Sequence, residues 1–281
     1  MNWNYSIRLS GTPERFVVRF YDRAPDSCAK EVRILARLGG ELPVPRVLHA
    51  EAQGVGGYPP LCVLEFIDGI SLRELRRRGD TKAVADASYD TGRWLPRLSR
   101  HSFERSGLLS PDLEVLDGPF AAASLVEVIE HFAVAPRFRR RVDASLLARM
   151  LDTARSHDDG RPAANAGFSL VHGDFNSPNI FVRHERGAWR VAAILDWEFA
   201  FAGSMLRDIG NMLRYERPSQ PRYEPHFSRG LLDGGWPAPD DWFLRARLAD
   251  LPALCELLTR DDVPEAIVIE LRDLLKATCV Y

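Results

Sequence analysis

Lysine is scarce in this 281-residue chain, and long hydrophobic runs are absent from it. Only Lys30, Lys82 and Lys276 are lysines, so arginine carries nearly all of the positive charge. The formal net charge of −2 provides no general attraction to nucleic acid or to an anionic membrane. No segment approaches the roughly 20 apolar residues of a membrane span, and the N-terminus lacks the apolar core of a signal peptide. We therefore expect neither a membrane nor a nucleic acid as a partner.

Cysteine is also rare, and its four copies form no recognisable pattern. Cys28, Cys62, Cys255 and Cys279 include no C-x-x-C pair and no metal-like grouping. Such thiols are typical of buried side chains in a reducing compartment rather than of a disulfide framework. The sequence therefore predicts a cytoplasmic protein whose core is drawn from 46% apolar residues and needs no disulfides. It gives no indication of an oligomeric state.

Several familiar catalytic motifs are missing as well. The chain contains no G-x-G-x-x-G, Walker P-loop, G-x-S-x-G or H-E-x-x-H pattern, so it gives no support to the chemistries that these motifs carry. Two basic runs, at 75–79 and 137–141, are short, and Phe138 is the one aromatic residue that they contain. We interpret them as solvated helix faces rather than as a nucleic-acid surface.

The first 65 or so residues predict a small β-rich unit with one helix. The alternating runs NYSIRLS and ERFVVRFY, joined by Gly11-Thr12-Pro13, are typical of a β-hairpin. The segment 25–40 predicts a helix that Pro25 opens and two glycines close. PRVLHAE and PLCVLEFI then predict two further strands on either side of a loop rich in glycine and proline.

The rest of the chain predicts a larger, mainly helical unit. Ser71 and Glu74 have the spacing of a capping box at the start of a helix. Further helices are expected over 81–103, 123–132, 144–156 and much of 240–278. The clear strands here are FSLVH, NIFVR and WRVAAILDWE, and the second and third predict a hairpin that turns near Glu185 to Gly187.

The segment LVHGDFNSPNIFV (170–182) places polar side chains between two apolar runs. Asp174 and Asn179 lie five residues apart in the loop after one strand, and Asp196 ends the hairpin that follows. Oxygen ligands from neighbouring strand ends suit Mg²⁺, which binds few protein ligands and leaves room for phosphate oxygens. A nearby carboxylate that accepts a hydroxyl proton would complete the requirements of phosphoryl transfer.

Simpler interpretations of these residues remain open at this point. His172 is expected to be structural, and Gly173 to permit a backbone conformation that other residues resist. Asp174 as a turn former, and Asn179 and Asp196 as plain caps, are the alternatives to a site. Beyond these, Asn176 and Glu198 are equally consistent with a direct role and with a supporting one.

The sequence also resembles a known family. VHGDFNSPNIFV and ILDWEFA are similar to the aminoglycoside phosphotransferase and choline kinase-like group, relatives of the protein kinases. Weaker likeness covers nearly the whole chain, in the segments FVVRF, KEVRILARL, PVPRVL, CVLEFIDGISL, LSRHSFERSG, GSMLRDIGNML and DWFLRARLADLPALCELL. The resemblance implies an α+β, protein-kinase-like fold of two lobes. The N-lobe, small, β-rich and nucleotide-binding, would cover residues 1–67, and the larger, mainly helical C-lobe residues 68–281.

The resemblance implies an ATP- and Mg²⁺-dependent small-molecule kinase that phosphorylates a hydroxyl. In it, Asp174 would be the catalytic base, and Asn179 and Asp196 the metal ligands. Three further positions would serve the nucleotide: Arg19 on its phosphates, Glu31 as the ion-pair partner of Arg19, and the backbone from Glu65 to Ile67 at adenine. For Arg19 the alternative is an exposed strand face, and Lys30 is the rival cation.

One departure from the family pattern supports a second interpretation. A strand and a loop bearing Gly or Ser normally cover the nucleotide phosphates, but only eighteen residues precede Arg19. We therefore expect an N-lobe truncated at its start, through a misplaced start or a real loss. In the second case phosphate donors are missing, and a catalytically impaired nucleotide-binding pseudoenzyme is the alternative.

The acceptor is not fixed by these motifs. Amino alcohols, sugars and antibiotics are all open, and a polycationic aminoglycoside would require a cluster of carboxylates. The acidic residues available for such a cluster are Glu198, Asp208, Glu216, Asp240, Asp241 and Glu256. Of these, Asp208 is also placed to brace the catalytic loop.

Overall fold

The computed structural model describes residues 2–11, 13–118, 123–157, 167–216 and 221–279. It consists of a four-stranded antiparallel sheet with one helix, followed by a helical part that contains one three-stranded sheet and one four-stranded sheet of short strands. This arrangement is the α+β, two-lobe architecture that the sequence predicts.

The N-terminal sheet forms from strands that the alternation of apolar residues predicts. Its strands are β1 (Trp3–Arg8), β2 (Arg15–Phe20), β3 (Val47–Glu51) and β4 (Leu61–Glu65), in the order β1-β2-β4-β3. The β1–β2 hairpin is confirmed, although Thr12 of its expected turn lies outside the described residues. On β2, Arg19 lies opposite Asn4 of β1 and Cys62 of β4.

Helix α1 (Asp26–Leu38) covers one face of this sheet, as the segment 25–40 predicts. Cys28, Ile34 and Leu38 lie on the buried face of this helix. They belong to the same hydrophobic core as Cys62 of β4. Glu31 is buried on the same helix. A buried carboxylate requires partners, and its partners belong to the site described below.

The remaining elements begin at residue 70. The strands are β5 (Ile70–Ser71), β6 (Ser102–Phe103), β7 (Gly107–Leu108), β8 (Phe168–Val171), β9 (Ile180–Glu185), β10 (Ala188–Ile194) and β11 (Phe201–Gly203). The helices are α2 (Leu72–Arg77), α3 (Thr81–Trp94), α4 (Leu125–Ala133), α5 (Pro136–Arg141), α6 (Ala144–His157), α7 (Leu206–Leu213), α8 (His226–Asp233), α9 (Trp242–Leu257) and α10 (Glu265–Thr278).

Two predictions about this part need correction. The single helix expected over 81–103 is instead α3 followed by a 3₁₀ helix at Leu95–Arg100, since Pro96 cannot donate the next α-helical hydrogen bond. The strands β5, β6, β7 and β11 were not predicted, because two or three residues are too short to show a period. They complete the sheets β10-β9-β5 and β6-β8-β11-β7.

Two local predictions are confirmed. The side chain of Ser71 caps α2 by accepting a hydrogen bond from the Glu74 N–H at 3.1 Å. The β9–β10 hairpin turns at Arg186 and Gly187, both at positive φ. Because β5 pairs with β9, the start of α2 is tied to this hairpin.

The core has two parts. One runs from the N-terminal sheet through α1 and α3 to the β8–β10 region, and the other joins α4, α5 and α6 to α9 and α10. The functional residues that the sequence suggests lie around the first. The described helices include no apolar stretch of the length that a bilayer crossing requires.

Candidate functional site

The loop from His172 to Asn179 connects β8 to β9 and is shaped by its glycine. Gly173 has φ +82°, and a Cβ atom there would lie 2.4 Å from the carbonyl oxygen of Phe199. No other residue fits without moving the backbone at Phe199. This close approach fixes the turn that presents Asp174.

His172 supports the loop from inside the core. The Asp174 N–H donates to its Nδ1 at 3.2 Å, so the ring hydrogen is on Nε2, which donates to the carbonyl oxygen of Leu195 at 2.9 Å. Burial lowers the pKa of His172 to about 4, which keeps the ring neutral. These contacts describe a structural histidine.

The Asp174 carboxylate is held by two amides. Asn179 Nδ2 donates to Asp174 Oδ2 at 2.8 Å and to its backbone oxygen at 2.9 Å, while Asn176 Nδ2 donates to Oδ1 at 2.5 Å. Burial raises the pKa of Asp174, and the hydrogen bond from Asn179 opposes this rise. The charges of Arg214 and Arg260 also lower that pKa. The two amides therefore orient the carboxylate, which forms no ion pair within the described part of the chain.

Asp208, on the first turn of α7, holds the other end of the loop. Its two oxygens accept the N–H groups of His172 and Gly173, at 2.8 and 3.0 Å. Burial raises the pKa of Asp208 to about 7, although both N–H groups oppose the rise. Asp208 therefore supports the backbone of the loop rather than contacting a substrate.

Arg19 reaches from the N-terminal sheet to the end of β10. Its Nη2 lies 2.5 Å from Asp196 Oδ1 and 3.2 Å from Glu198 Oε1, and its Nε lies 3.2 Å from Glu31 Oε2. The Arg19 side chain is only 6% exposed, so the alternative of an exposed strand face is wrong. The rival cation Lys30 instead donates to the carbonyl oxygen of Ala200 at 3.3 Å.

Glu31 joins three elements at this point. It accepts the Tyr21 hydroxyl at 2.6 Å and the Trp197 N–H at 3.1 Å, in addition to its ion pair with Arg19. Burial raises the pKa of Glu31, and the Arg19 charge opposes the rise. These bonds satisfy the buried carboxylate and fix the segment after Asp196, which itself has φ +67°.

Asn2 and Glu198 form a contact that the sequence did not indicate. Asn2 Nδ2 donates to Glu198 Oε2 at 2.6 Å across 196 positions. No local spacing signals such a pair. Burial, and then the neighbouring Asp196 carboxylate, raise the pKa of Glu198 to about 7.

The structure brings Asn179 beside residues 196–198, which form the corner at the end of β10. The Leu195 N–H donates to the Asn179 carbonyl oxygen at 2.9 Å. The charge of Asp196 raises the pKa of the neighbouring Glu198 carboxylate, and Arg19 is the cation that pairs with both. Among the described residues, no three His, Cys, Asp or Glu side chains form a metal site by themselves. Asn179 and Asp196 alone could give a metal ion two oxygen ligands, so the ion would need others, such as phosphate oxygens.

The expected adenine segment begins at Glu65, the last residue of β4, and continues toward β5. Glu65 is engaged with Arg46, whose Nε donates to its side chain at 2.6 Å and whose carbonyl oxygen accepts its N–H at 3.0 Å. Ile67 lies beyond the end of β4 in irregular backbone. The structure leaves an adenine contact at these residues as a prediction.

Comparisons with known proteins identify the family and the fold of this chain. The chain matches the family model described as "Phosphotransferase enzyme family" over residues 2–242. No curated protein matches the chain. Among solved structures, the GDP complex of wild-type aminoglycoside 2'-phosphotransferase-IIIa has a TM-score of 0.71 at 17% identity, covering 98% of this chain and 89% of that one.

Two further structures show the same fold. A ternary complex of a thermostable mutant of aminoglycoside phosphotransferase APH(4)-Ia with AMP-PNP and hygromycin B has a TM-score of 0.68 at 18% identity, covering 99% and 92% of the two chains. A protein assigned as a fructosamine-3-kinase from Haemophilus somnus 129PT has a TM-score of 0.62 at 14% identity, covering 100% and 88%. The family match over most of the chain, together with the kinase-like fold, shows that this protein belongs to the phosphotransferase enzyme family.

Proposed function

We propose that this protein is an ATP- and Mg²⁺-dependent phosphotransferase that moves the γ-phosphate to a hydroxyl of a small molecule. Membership of the family supports the reaction class. The observation that carries the proposal is the Asp174 carboxylate, held by Asn176 and Asn179 beside the Asp196 corner. That arrangement combines an oriented proton acceptor with oxygen ligands for a metal.

Asp174 serves as the base in this proposal. The acceptor hydroxyl attacks the γ-phosphorus, the bond from that phosphorus to the bridging oxygen of ADP breaks, and the hydroxyl proton passes to Asp174. The products are ADP and a phosphate ester. Two amides hold the two carboxylate oxygens and keep the base oriented toward the acceptor. Such positioning is a main part of what a protein contributes to phosphoryl transfer.

Arg19, Glu31, Asn179 and Asp196 serve the nucleotide and its metal. Asn179 and Asp196 would hold Mg²⁺, which supplies charge neutralisation on the phosphates when bound. Glu31 holds Arg19 at the same corner, where its guanidinium would bind phosphate oxygens in place of its pairs with Asp196 and Glu198. Neighbouring structures contain AMP-PNP or GDP, which supports nucleotide use. We propose ATP, with adenine at the Glu65–Ile67 backbone.

A cytoplasmic location belongs to the same proposal. It rests on the cysteines, since Cys28, Cys62, Cys255 and Cys279 are all free thiols in the structure. Free buried thiols persist in reducing compartments.

The test is phosphate transfer by Asp174→Asn. Wild-type protein with Mg·ATP should yield a phosphorylated product from a panel of hydroxyl compounds, detected by mass spectrometry. Asp174→Asn should reduce the rate about 100-fold or more, with Mg·ATP still bound. Asp152→Asn, which changes an exposed carboxylate paired with Arg155 on α6, is the matched control. Unchanged transfer by Asp174→Asn would remove the assigned role.

The pseudoenzyme alternative makes a different prediction for the wild type. It expects Mg·ATP to bind and no compound to be phosphorylated. The intact trio of Asp174, Asn179 and Asp196 favours the enzyme.

A further inference from the structure

Strand β1 carries its apolar side chains on the outer face of the N-terminal sheet. Trp3 lies opposite Phe20 of β2 and Tyr5 lies opposite Val18, so these four side chains share one face. The rings of Tyr5 and Phe20 meet edge to face, with centroids 6.0 Å apart. Trp3 and Tyr5 are nevertheless 59% and 53% exposed. The apolar face of β1 is therefore turned mostly toward solvent.

The other face of β1 is polar. Asn4 lies opposite Arg19 and Ser6 lies opposite Val17, so both polar residues share the face that bears Arg19. This is the side of helix α1, because Arg19 also pairs with Cys62 of β4, which belongs to the same core as α1. An antiparallel sheet with one solvated face normally turns its apolar side chains inward. Strand β1 has the reverse pattern.

The contact made by Asn2 shows what lies beneath this polar face. Asn2 precedes β1, and its Nδ2 donates to Glu198 Oε2 at 2.6 Å. The other carboxylate oxygen of Glu198 lies 3.2 Å from Arg19 Nη2, and the same nitrogen pairs with Asp196. The polar face of β1 therefore lies over the corner at 196–198, beside the proposed metal ligand Asp196.

The amides on this face have donors for a ligand. A side-chain amide carries two N–H hydrogens, and the bond from Asn2 to Glu198 uses one of them. Asn4 is exposed, and its side chain makes no hydrogen bond to the residues that the structure describes. With the guanidinium of Arg19 on the same face, these amides provide the N–H donors that phosphate oxygens accept.

On the basis of the phosphotransferase function proposed above, we propose that the side-chain amides of Asn2 and Asn4 bind the phosphates of the nucleotide together with Arg19. Side chains of β1 then provide donors where the family pattern uses a loop bearing Gly or Ser. They hold the phosphates by hydrogen bonds and make no bond to the transferred phosphorus. The reversed pattern of β1 follows from this role, because a face that binds phosphates requires polar side chains.

The test compares two substitutions that add the same charge at neighbouring positions. Asn4→Asp places a carboxylate on the face of Arg19, and Tyr5→Asp places one on the outer face of the same strand. Both positions are exposed, so both variants should fold, which thermal unfolding checks. By calorimetry, Asn4→Asp should raise the Kd of Mg·ATP about 30-fold or more, and Tyr5→Asp less than about threefold.

Removal of each amide separates a phosphate contact from a structural role. Asn2→Ala and Asn4→Ala should each raise the Kd of Mg·ATP about 10-fold. The Kd of adenosine, measured by competition, should stay within about twofold, because adenosine has no phosphate. Asn4→Ser retains a donor and should recover part of the affinity for Mg·ATP. A merely structural change in β1 would instead weaken the binding of ATP and adenosine alike.

The contrary outcomes are distinguishable. Equal Mg·ATP affinity of Asn4→Asp and Tyr5→Asp would overturn the phosphate-binding role of β1, and so would equal losses of ATP and adenosine affinity in the alanine variants. Either result leaves the proposed phosphotransferase intact, since the wild type still binds Mg·ATP. Failure of the wild type to bind Mg·ATP would contradict the proposed function, and the role of β1 with it.

Discussion

The loop at 172–179 and the corner at 196–198 lie side by side, but the structure holds them in different ways. The loop is held by residues that follow α2: Asp208 accepts two of its N–H groups, and His172 bonds to Leu195. The corner is held by the first 31 residues of the chain, through Arg19, Glu31 and Asn2.

This difference separates two tasks in the proposed reaction. The base belongs to a loop whose supports, among the residues that the structure describes, come from the larger lobe. The metal ligand Asp196 depends on the smaller lobe, because Arg19 and Glu31 fix its surroundings. Substitutions in the N-terminal sheet should therefore lower mainly the affinity for Mg·ATP. Substitutions around α7 should lower mainly the rate of phosphate transfer.

The largest expected effect on stability comes from removing the Arg19 ion pairs at residues 196–198. Arg19→Gln leaves Glu31, Asp196 and Glu198 without their shared cation, and should lower the free energy of unfolding by about 3–5 kcal/mol. Chemical denaturation measures this. Arg15→Gln, on the same strand but with an exposed partner in Asp68, should cost less than about 1 kcal/mol. Similar losses for the two variants would show that burial of the corner does not matter.

A smaller effect is expected at the brace of the loop. Asp208→Asn retains one acceptor for the N–H groups of His172 and Gly173 instead of two, and should cost about 1–3 kcal/mol of stability. Turnover should fall about 10-fold with the Kd of Mg·ATP unchanged, since Asp208 bonds to His172 and Gly173, next to the base, whereas the metal ligand Asn179 lies at the other end of the loop. A loss of Mg·ATP affinity with normal turnover would erase the distinction between loop and corner. The control is Asp86→Asn, in an exposed pair with Lys82.

The smallest expected effect is the contribution of His172 to the pH dependence of stability. The pKa of His172 falls from 6.5 to about 4 on folding, so the folded chain favours the neutral ring. This contribution is present above pH 6.5 and is lost as the pH falls toward 4, because the unfolded chain then binds the extra proton. Relative to His172→Gln, the wild type should lose about 1 kcal/mol between pH 7.5 and 5.5. Stability is measured by thermal unfolding at each pH. If wild type and His172→Gln lose the same stability over this range, His172 is not buried as a neutral ring.

The sequence predicts those parts of the site that local spacing determines. Asp174 and Asn179 share one loop, and the β9–β10 hairpin returns the chain to Asn179 just before Asp196. The strand that carries Arg19 and the helix that carries Glu31 were likewise visible as periodic patterns. Short connections of this kind leave few geometries open.

The remaining contacts join residues that no local pattern relates. Asn2 and Glu198 meet only because β1 pairs with β2 at the edge of the sheet. The end of α3 was misjudged because the apolar spacing continues through Pro96, where the helix turns into 3₁₀. Local spacing does relate two of the acidic residues to their partners. Asp241 lies four residues before Arg245, and Glu256 lies four residues before Arg260, which is the spacing of ion pairs on a helix.

The most direct test of the division between loop and corner measures Mg·ATP affinity and phosphate transfer together, in Asp174→Asn and Asp196→Asn. Calorimetry gives the Kd, and mass spectrometry gives the transfer. We predict that Asp174→Asn binds Mg·ATP within about twofold of wild type while transfer falls about 100-fold or more. Asp196→Asn should weaken Mg·ATP binding about 10-fold or more. Normal Mg·ATP affinity in Asp196→Asn, or normal transfer in Asp174→Asn, would contradict the account.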